Sequence, residues 1–188
     1  INALKEKLYR RNKQDKPEEL TCLKQNEGFM DATQVQYVSA AGNFKKAGYS
    51  YTGAFQVLKT ILSYEYLWLQ IRVKGGAYGA SSAFLRTGDA YFTSYRDPNL
   101  KETLEVYKNT PDYLRNFKTT ERDMTKYVIG TISDMDTPLP PAAQGRRSLN
   151  AYLSGYTEED LQRERDEVLS VTVEDIRALA PLMRAVLK

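Results

Sequence analysis

Two kinds of sequence pattern meet in the stretch LWLQIRVKGGAYGA, which runs from Leu67 to Ala80. A long segment with apolar residues at helical spacing precedes the stretch, and two runs of alternating residues follow it. Gly75 and Gly76 permit positive φ, which suits a helix C-terminus and a sharp turn. The stretch therefore predicts the end of a helix, a tight turn and the start of a strand.

Arg72 and Tyr78 flank this predicted turn. Arg72 and Lys74 fall in the last helical turn, where a cation complements the negative end of the helix dipole. From Tyr78 onward the residues alternate, which predicts a strand with Tyr78, Ala80, Ser82 and Phe84 on one face. Because Arg72 and Tyr78 lie on opposite sides of one turn, their side chains could converge on one spot.

Two other interpretations of the turn stay open. The simplest is that the glycines only form a turn and that Arg72 only caps a helix. The other is a phosphate cradle, because backbone N–H groups in glycine-rich turns bind anions. The order of helix, turn and strand is the reverse of a P-loop, however, and the Walker pattern is absent.

Length and composition indicate one folded domain. The chain has 188 residues, of which 41% are hydrophobic and 27% are charged, as in ordinary globular proteins. No run approaches the length of a membrane span, and no signal peptide begins at Ile1. The net charge of +3 is too small to indicate nucleic-acid binding, and no nucleic-acid-binding motif is present.

Histidine is absent from the sequence, and Cys22 is the single cysteine. These residues therefore hold no histidine-based triad, no histidine general base and no histidine zinc ligand. The lone cysteine forms no internal disulfide, which is compatible with a reducing compartment. Asp134 and Asp136 lack a third ligand, so we interpret them as part of a solvated loop. We therefore expect any catalytic or zinc-binding groups to lie outside these residues.

Periodicity and capping signals predict an α+β fold, with strands in the first half and helices in the second. Predicted strands are 33–41, 78–85 and 90–95, the last two forming an antiparallel hairpin. Predicted helices are 2–11, 53–72, one opening at Asp97–Pro98, 121–133, 142–153, 160–169 and 173–187. The apolar face of the main helix comprises Phe55, Leu58, Ile61, Leu62, Tyr64, Trp68, Leu69 and Ile71. The stripe of Tyr91, Thr93 and Tyr95 is interpreted as sheet packing.

The run RVKGGAYG at 72–79, followed by SYRDPN at 94–99, resembles the insulinase/pitrilysin group of zinc metallopeptidases. It looks closest to the presequence-protease branch. The similarity also covers VQYV at 35–38, IGTI at 129–132 with the Pro-rich segment after it, and residues 152–165. It thus spans most of the chain.

The resemblance implies a C-terminal, non-catalytic domain of a larger peptidase, with 1–188 as a single domain. Family members have four homologous α+β domains, and the first binds zinc through an inverted H-x-x-E-H motif, which a chain without histidine cannot supply. The implied fold is an antiparallel sheet packed on one side by helices, of the LuxS/processing-peptidase-like type. Family domains have a strand before the first helix and another after the last. We therefore expect missing terminal strands and an unpaired edge that invites self-association.

The resemblance also implies a site. In the family, the arginine and tyrosine that match Arg72 and Tyr78 reach across a chamber, hold the substrate backbone and stabilise the oxyanion. Gly75 and Gly76 are expected to join them in substrate binding. Zinc belongs to the intact enzyme and is not bound by this chain, which we expect to be inactive alone.

The implied partners are unstructured peptide substrates and the N-terminal catalytic half of a longer protein, with no nucleic acid and no membrane. The implied location is the cytoplasm, or an organelle matrix in a eukaryote. Two alternatives remain at this point. One is a catalytically inactive structural or interaction module of the same fold, and the other is an anion-binding module at Lys74, Gly75 and Gly76.

Overall fold

The computed structural model describes residues 26–30 and 32–187. The chain divides into two units, Ile1–Ala32 and Thr33–Lys188, and the described strands and helices belong to the second unit. The helix predicted at 2–11 and the cysteine Cys22 lie outside the described residues. Among the described residues, no helix is long and apolar enough to cross a lipid bilayer.

Three antiparallel strands form the sheet, in the order β1-β3-β2. Their bounds are Ser39–Asn43 for β1, Gly79–Phe84 for β2 and Asp89–Tyr95 for β3. The hairpin of β2 and β3 pairs Gly79 with Tyr95 and Phe84 with Ala90, which confirms the predicted hairpin. The first strand was predicted at 33–41 but begins at Ser39, because an extra residue in the chain beside it interrupts the pairing.

Seven helices follow or separate these strands in the described residues. Helix α1 spans Ala54–Ile61 and continues without a break through two π-helical segments, Leu62–Tyr66 and Trp68–Lys74. The others are α2 Lys101–Arg115, α3 Glu121–Met135, α4 Pro141–Ser154, α5 Glu158–Leu169, α6 Val173–Ala178 and α7 Ala180–Val186. The predicted α+β class, a small antiparallel sheet with helices, is confirmed.

The hydrophobic core lies on one face of the sheet. Phe84 and Phe92 point from the strands into this core. The Phe84 ring contacts Phe55 on α1 at a centroid distance of 5.3 Å, and the Phe92 ring contacts Tyr107 on α2 at 5.5 Å. The opposite face is open. Tyr91 and Tyr95, two members of the stripe interpreted as sheet packing, lie on that open face and are 41% and 42% exposed.

The π-helical segments change which residues of the long helix are buried. The N–H of Leu67 donates to the carbonyl of Leu62, five residues earlier, so each turn holds more residues than an α-helical turn. The buried series is therefore Leu58, Leu62, Leu67 and Ile71, and Leu69 is 43% exposed. The predicted burial of Tyr64, Trp68 and Leu69 was wrong for this reason.

Two predicted helix boundaries also differ from the structure. Asp97 does not cap a helix: its carboxylate is buried and accepts hydrogen bonds from the Asn99 N–H and the Thr103 hydroxyl, so α2 begins at Lys101. The helix predicted at 173–187 is divided at Leu179 into α6 and α7. The capping boxes at Thr157 and Thr172 are present, as their sequence predicted.

Candidate functional site

The double-glycine turn ends the long helix through a left-handed cap. Gly76 has φ +80°, and its N–H donates to the carbonyl of Arg72 over 3.0 Å, the bond expected of such a cap. Gly75 has an ordinary φ of −83°, but a Cβ on it would lie 2.5 Å from the carbonyl oxygen of Ile71. The turn therefore requires both glycines, one for its dihedral angle and the other for space.

The backbone donors of this turn are used inside it. Besides the Gly76 bond, the Ala77 N–H donates to Ile71 over 3.1 Å, and the Gly75 N–H donates to Arg72. The Lys74 ammonium lies 3.3 Å from the side-chain oxygen of Gln70. A phosphate cradle needs free, convergent N–H groups, so the geometry disfavours the anion-binding interpretation.

Arg72 and Tyr78 lie side by side on the surface. The Arg72 guanidinium carbon is 4.0 Å from the centre of the Trp68 ring and 5.9 Å from that of the Tyr78 ring. Tyr78 is 66% exposed and Trp68 is 44% exposed. Within residues 26–30 and 32–187, no hydrogen bond or ion pair uses the Arg72 guanidinium. An aromatic face thus holds this cation while its N–H donors stay available for a ligand.

Three sequence stretches that carry the family resemblance meet at this point. The Tyr78 N–H donates to the Tyr95 carbonyl over 3.1 Å, and the two rings contact edge to face with centroids 5.7 Å apart. Tyr37 packs on the other side of Tyr95 at 5.3 Å. The Asn99 side-chain amide donates to the Gly75 carbonyl. A row of three tyrosines therefore extends from the glycine turn across the end of the sheet.

A β-bulge lies at the end of this row, at Arg96. The Ser94 N–H donates to the Val38 carbonyl, whereas Asp97 pairs with Gln36, so the strand that carries Arg96 holds one extra residue. Arg96 has φ 48°, and it is the single described residue other than glycine with positive φ. A left-handed conformation at such a residue costs roughly 1–2 kcal/mol.

Buried polar contacts hold the bulge in place. Asp97 and Gln36 exchange two backbone hydrogen bonds of 2.9 Å. The Asp97 carboxylate is 0% exposed and is bonded to Thr103 at the start of α2 over 2.6 Å. The backbone that follows Tyr95 is therefore held by hydrogen bonds to Gln36 on one side and to Thr103 on the other.

Sequence reasoning had not placed Trp68, Tyr37, Tyr95 and Arg96 in the site. Trp68 lies four residues before Arg72, a spacing that makes two side chains neighbours on a helix, and this signal was available. The hairpin register, with Gly79 opposite Tyr95, could have placed Tyr95 beside Tyr78. No sequence signal marked the bulge that exposes Arg96.

A second polar cluster surrounds the buried carboxylate of Glu164, which is 3% exposed. It accepts hydrogen bonds from the Tyr51 and Tyr156 hydroxyls over 2.8 and 2.7 Å, from Gln56 over 3.1 Å, and from Arg86. Burial disfavours the charge, but these donors outweigh it and lower the pKa of Glu164. Burial, reinforced by the Glu164 bond, raises the pKa of Tyr156 to about 12. The cluster joins α5 to α1 and to the turn between β2 and β3.

The described residues do not fit a zinc site. No group of three or more Asp, Glu, Cys or His side chains in them is arranged to hold a metal ion, and the sequence contains no histidine. Arg72, Tyr78 and their aromatic neighbours are donors and rings, which bind polar or anionic groups rather than a metal.

Residues 26–188 match the family model described as the PreP C-terminal domain. The chain belongs to this family. A PreP-family assignment agrees with the resemblance read from the RVKGGAYG and SYRDPN stretches, and that prediction is confirmed.

Two curated relatives show how much of a longer protein this PreP-family chain spans. It is 50% identical over 165 residues to Protein HypA of Clostridium perfringens, covering 88% of this chain and 17% of that protein. It is 41% identical over 156 residues to presequence protease 1 (chloroplastic/mitochondrial) of Arabidopsis thaliana, covering 82% of this chain and 14% of that protein. The chain therefore spans less than a fifth of either relative.

A solved structure shows the same fold. An inactive peptidase domain from Bordetella parapertussis aligns over 81% of this chain and 86% of its own, with a TM-score of 0.60 and 19% identity. The PreP-family chain therefore shares its fold with this peptidase domain.

Proposed function

We propose that this PreP-family domain supports peptide hydrolysis at a zinc site held by another domain of the same protein. The observation that carries the proposal is the pairing of Arg72 with Tyr78. Both side chains are exposed on one surface, 5.9 Å separates the guanidinium carbon from the ring centre, and Trp68 holds the guanidinium in place without using its donors.

The two side chains suit the charge that develops in this reaction. Hydrolysis of a peptide bond places negative charge on the carbonyl oxygen in the transition state. The Arg72 guanidinium and the Tyr78 hydroxyl are donors that can stabilise that oxygen, and the exposed aromatic surface can hold the peptide backbone on either side. Metal and nucleophile would come from the other domain.

The relatives support the same proposal. Their names include presequence proteases, and the chain's small share of their length leaves room for a catalytic half. We infer that the substrates are unstructured peptides and that the partner is this N-terminal half. The cytoplasm, or an organelle matrix in a eukaryote, is the proposed location.

The test is substitution in the full-length parent protein. Arg72→Ala and Tyr78→Phe should each lower kcat for an unstructured peptide by about 10²-fold, the usual effect of losing one oxyanion donor. Zinc content should stay unchanged, because neither residue binds the metal. Arg122→Ala and Tyr91→Phe, at exposed positions outside the row, are the matched controls. Wild-type turnover in the Arg72 and Tyr78 variants would contradict the proposal.

A structural or interaction module is the second candidate. One observation favours it: helix α4 has no buried side chain and exposes Leu149, Tyr152 and Leu153, as a helix does when it packs against another domain. The parent reading frame separates the candidates. An H-x-x-E-H motif upstream supports the catalytic proposal, and its absence supports the structural one.

A further inference from the structure

The β-bulge turns Arg96 onto the open face of the sheet. Regular alternation would place Arg96 on the buried face together with Ser94, but the extra residue exposes both Tyr95 and Arg96 and buries Asp97. The left-handed backbone at Arg96 is one that glycine or asparagine adopts more readily. An arginine here thus presents its guanidinium to solvent from an unfavourable backbone conformation, as is common near functional sites.

A ring, and not a carboxylate, positions this guanidinium. Its carbon lies 5.5 Å from the centre of the Tyr95 ring. Arg86 and Arg115, by contrast, are paired with carboxylates. In the described part of the chain no hydrogen bond or ion pair uses the Arg96 side chain. Its planar fork of donors is therefore open to an outside acceptor, and a carboxylate matches that fork best.

The row of rings limits the distance between Arg96 and Arg72. Successive separations are 5.9 Å from Arg72 to Tyr78, 5.7 Å from Tyr78 to Tyr95, and 5.5 Å from Tyr95 to Arg96. The two guanidinium carbons therefore lie at most roughly 17 Å apart, a distance that about five residues of extended peptide can span.

We propose that Arg96 binds a carboxylate of the substrate peptide within about five residues of the carbonyl group held by Arg72. This inference rests on the proposed function and names a preference of the same site. Tyr78 and Tyr95 lie between the two cations, so the intervening peptide crosses their exposed rings. The carboxylate is that of an acidic side chain or of the peptide C-terminus, since both offer the same two oxygens.

The experiment compares matched peptides in the full-length parent protein. In the first series each peptide carries one Glu, placed in turn at each of the five positions on either side of the scissile bond. The control peptides carry Gln at the same position, and both series have an amidated C-terminus. A third peptide has Gln throughout and a free C-terminus. At one position, or for the free C-terminus, kcat/KM should rise about tenfold over the neutral peptide at low ionic strength, and added salt should reduce this ratio.

Substitutions then assign the preference to Arg96. Arg96→Asn keeps a residue that tolerates the left-handed backbone and should abolish the carboxylate preference, whereas Arg96→Lys should retain part of it. Arg122→Asn, which removes a charge from the start of α3, should keep the full preference. An unchanged ratio in Arg96→Asn, or no carboxylate preference in the wild type, would overturn the inference.

Failure of this inference differs from failure of the proposed function. Arg72→Ala should lower turnover of every peptide by a similar factor and leave the carboxylate ratio unchanged. A parent protein without peptidase activity would contradict the proposed function. Fluorescence polarisation with labelled versions of the same peptides would then test whether Arg96 binds a carboxylate. Carboxylate-dependent binding that Arg96→Asn removes supports the inference, and binding that ignores the carboxylate refutes it.

Discussion

The Arg72 guanidinium lies 4.0 Å from the centre of the Trp68 ring, and the two residues are one helical turn apart. This contact fixes the direction of a long, exposed side chain. It exists because the π-helical segments place Trp68 and Arg72 on the exposed side of a helix whose opposite side is buried.

Removing the Trp68 ring should weaken catalysis by misplacing Arg72. An exposed cation–π contact contributes about 0.5–1 kcal/mol, so Trp68→Leu should lower kcat/KM of the parent protein roughly two- to fivefold. Trp68→Phe, which keeps a weaker π face, should lose less. The Trp68→Leu change should have no further effect in an Arg72→Ala background. An equal effect in both backgrounds would show that Trp68 does not act through Arg72.

Position 75 should not tolerate a side chain as small as the methyl group of alanine. A Cβ there would lie 2.5 Å from the Ile71 carbonyl oxygen, so Gly75→Ala should shift the turn and lower the free energy of unfolding by about 1–3 kcal/mol. Because the turn joins Arg72 to Tyr78, activity should fall as well. Urea unfolding and peptide turnover measure the two effects.

Gly79→Ala is the matched control for this change. Gly79 lies in the same sequence stretch, and a Cβ on it would meet no atom within 4 Å. We expect the free energy of unfolding of the Gly79→Ala variant to stay within about 0.5 kcal/mol of the wild-type value. Equal effects of the two substitutions would show that space at Gly75 does not determine the turn.

Much of the fold could be predicted from local sequence. The hairpin, the glycine turn and the caps at Thr157 and Thr172 depend on residues close in sequence, and the structure confirmed each of them. The errors arose where the chain departs from regular geometry. Leu69 follows an α-helical period, but the π-helical segments require a longer one, so Leu67 is buried in its place.

The candidate site was predicted only in part for the same reason. The spacing of Arg72 and Tyr78 around one turn depends on local structure, and the two side chains do lie together. The position of Arg96 depends on a bulge, which is a property of the pairing between segments far apart in sequence, such as Gln36 and Asp97. Asp97 looked like a helix cap, but its burial beside Thr103 is a tertiary effect that no local pattern encodes.

The backbone strain at Arg96 gives a prediction about stability. Arg96→Gly relieves a left-handed conformation worth about 1–2 kcal/mol and adds roughly 0.5–1 kcal/mol of chain entropy to the unfolded state. The free energy of unfolding should therefore rise by up to about 1 kcal/mol. Arg115→Gly, at the end of α2, should instead lower it by about 1 kcal/mol. A loss of stability in Arg96→Gly would show that the bulge is not strained.

The Glu164 cluster gives a prediction that depends on pH. Glu164→Gln removes a buried negative charge that accepts hydrogen bonds from four side chains. Arg86, its ion-pair partner, is 46% exposed, so water can partly replace the lost carboxylate around Arg86. We expect a loss of about 2 kcal/mol in the free energy of unfolding at pH 7, below the 3–5 kcal/mol typical of a fully buried broken pair.

The sign of the pH dependence follows from the lowered pKa of Glu164. A carboxyl group with a lower pKa in the folded state contributes its full stability above its unfolded pKa, about 4.3 for Glu. It loses that contribution as the pH falls through the folded value. Urea unfolding at pH 7 and at pH 3 should therefore show a smaller difference between wild type and Glu164→Gln at pH 3.

Glu105→Gln, which breaks an exposed pair with Lys108, should change stability by at most about 0.5 kcal/mol at either pH. A difference that grows in acid would mean that Glu164 is stabilised as the neutral acid.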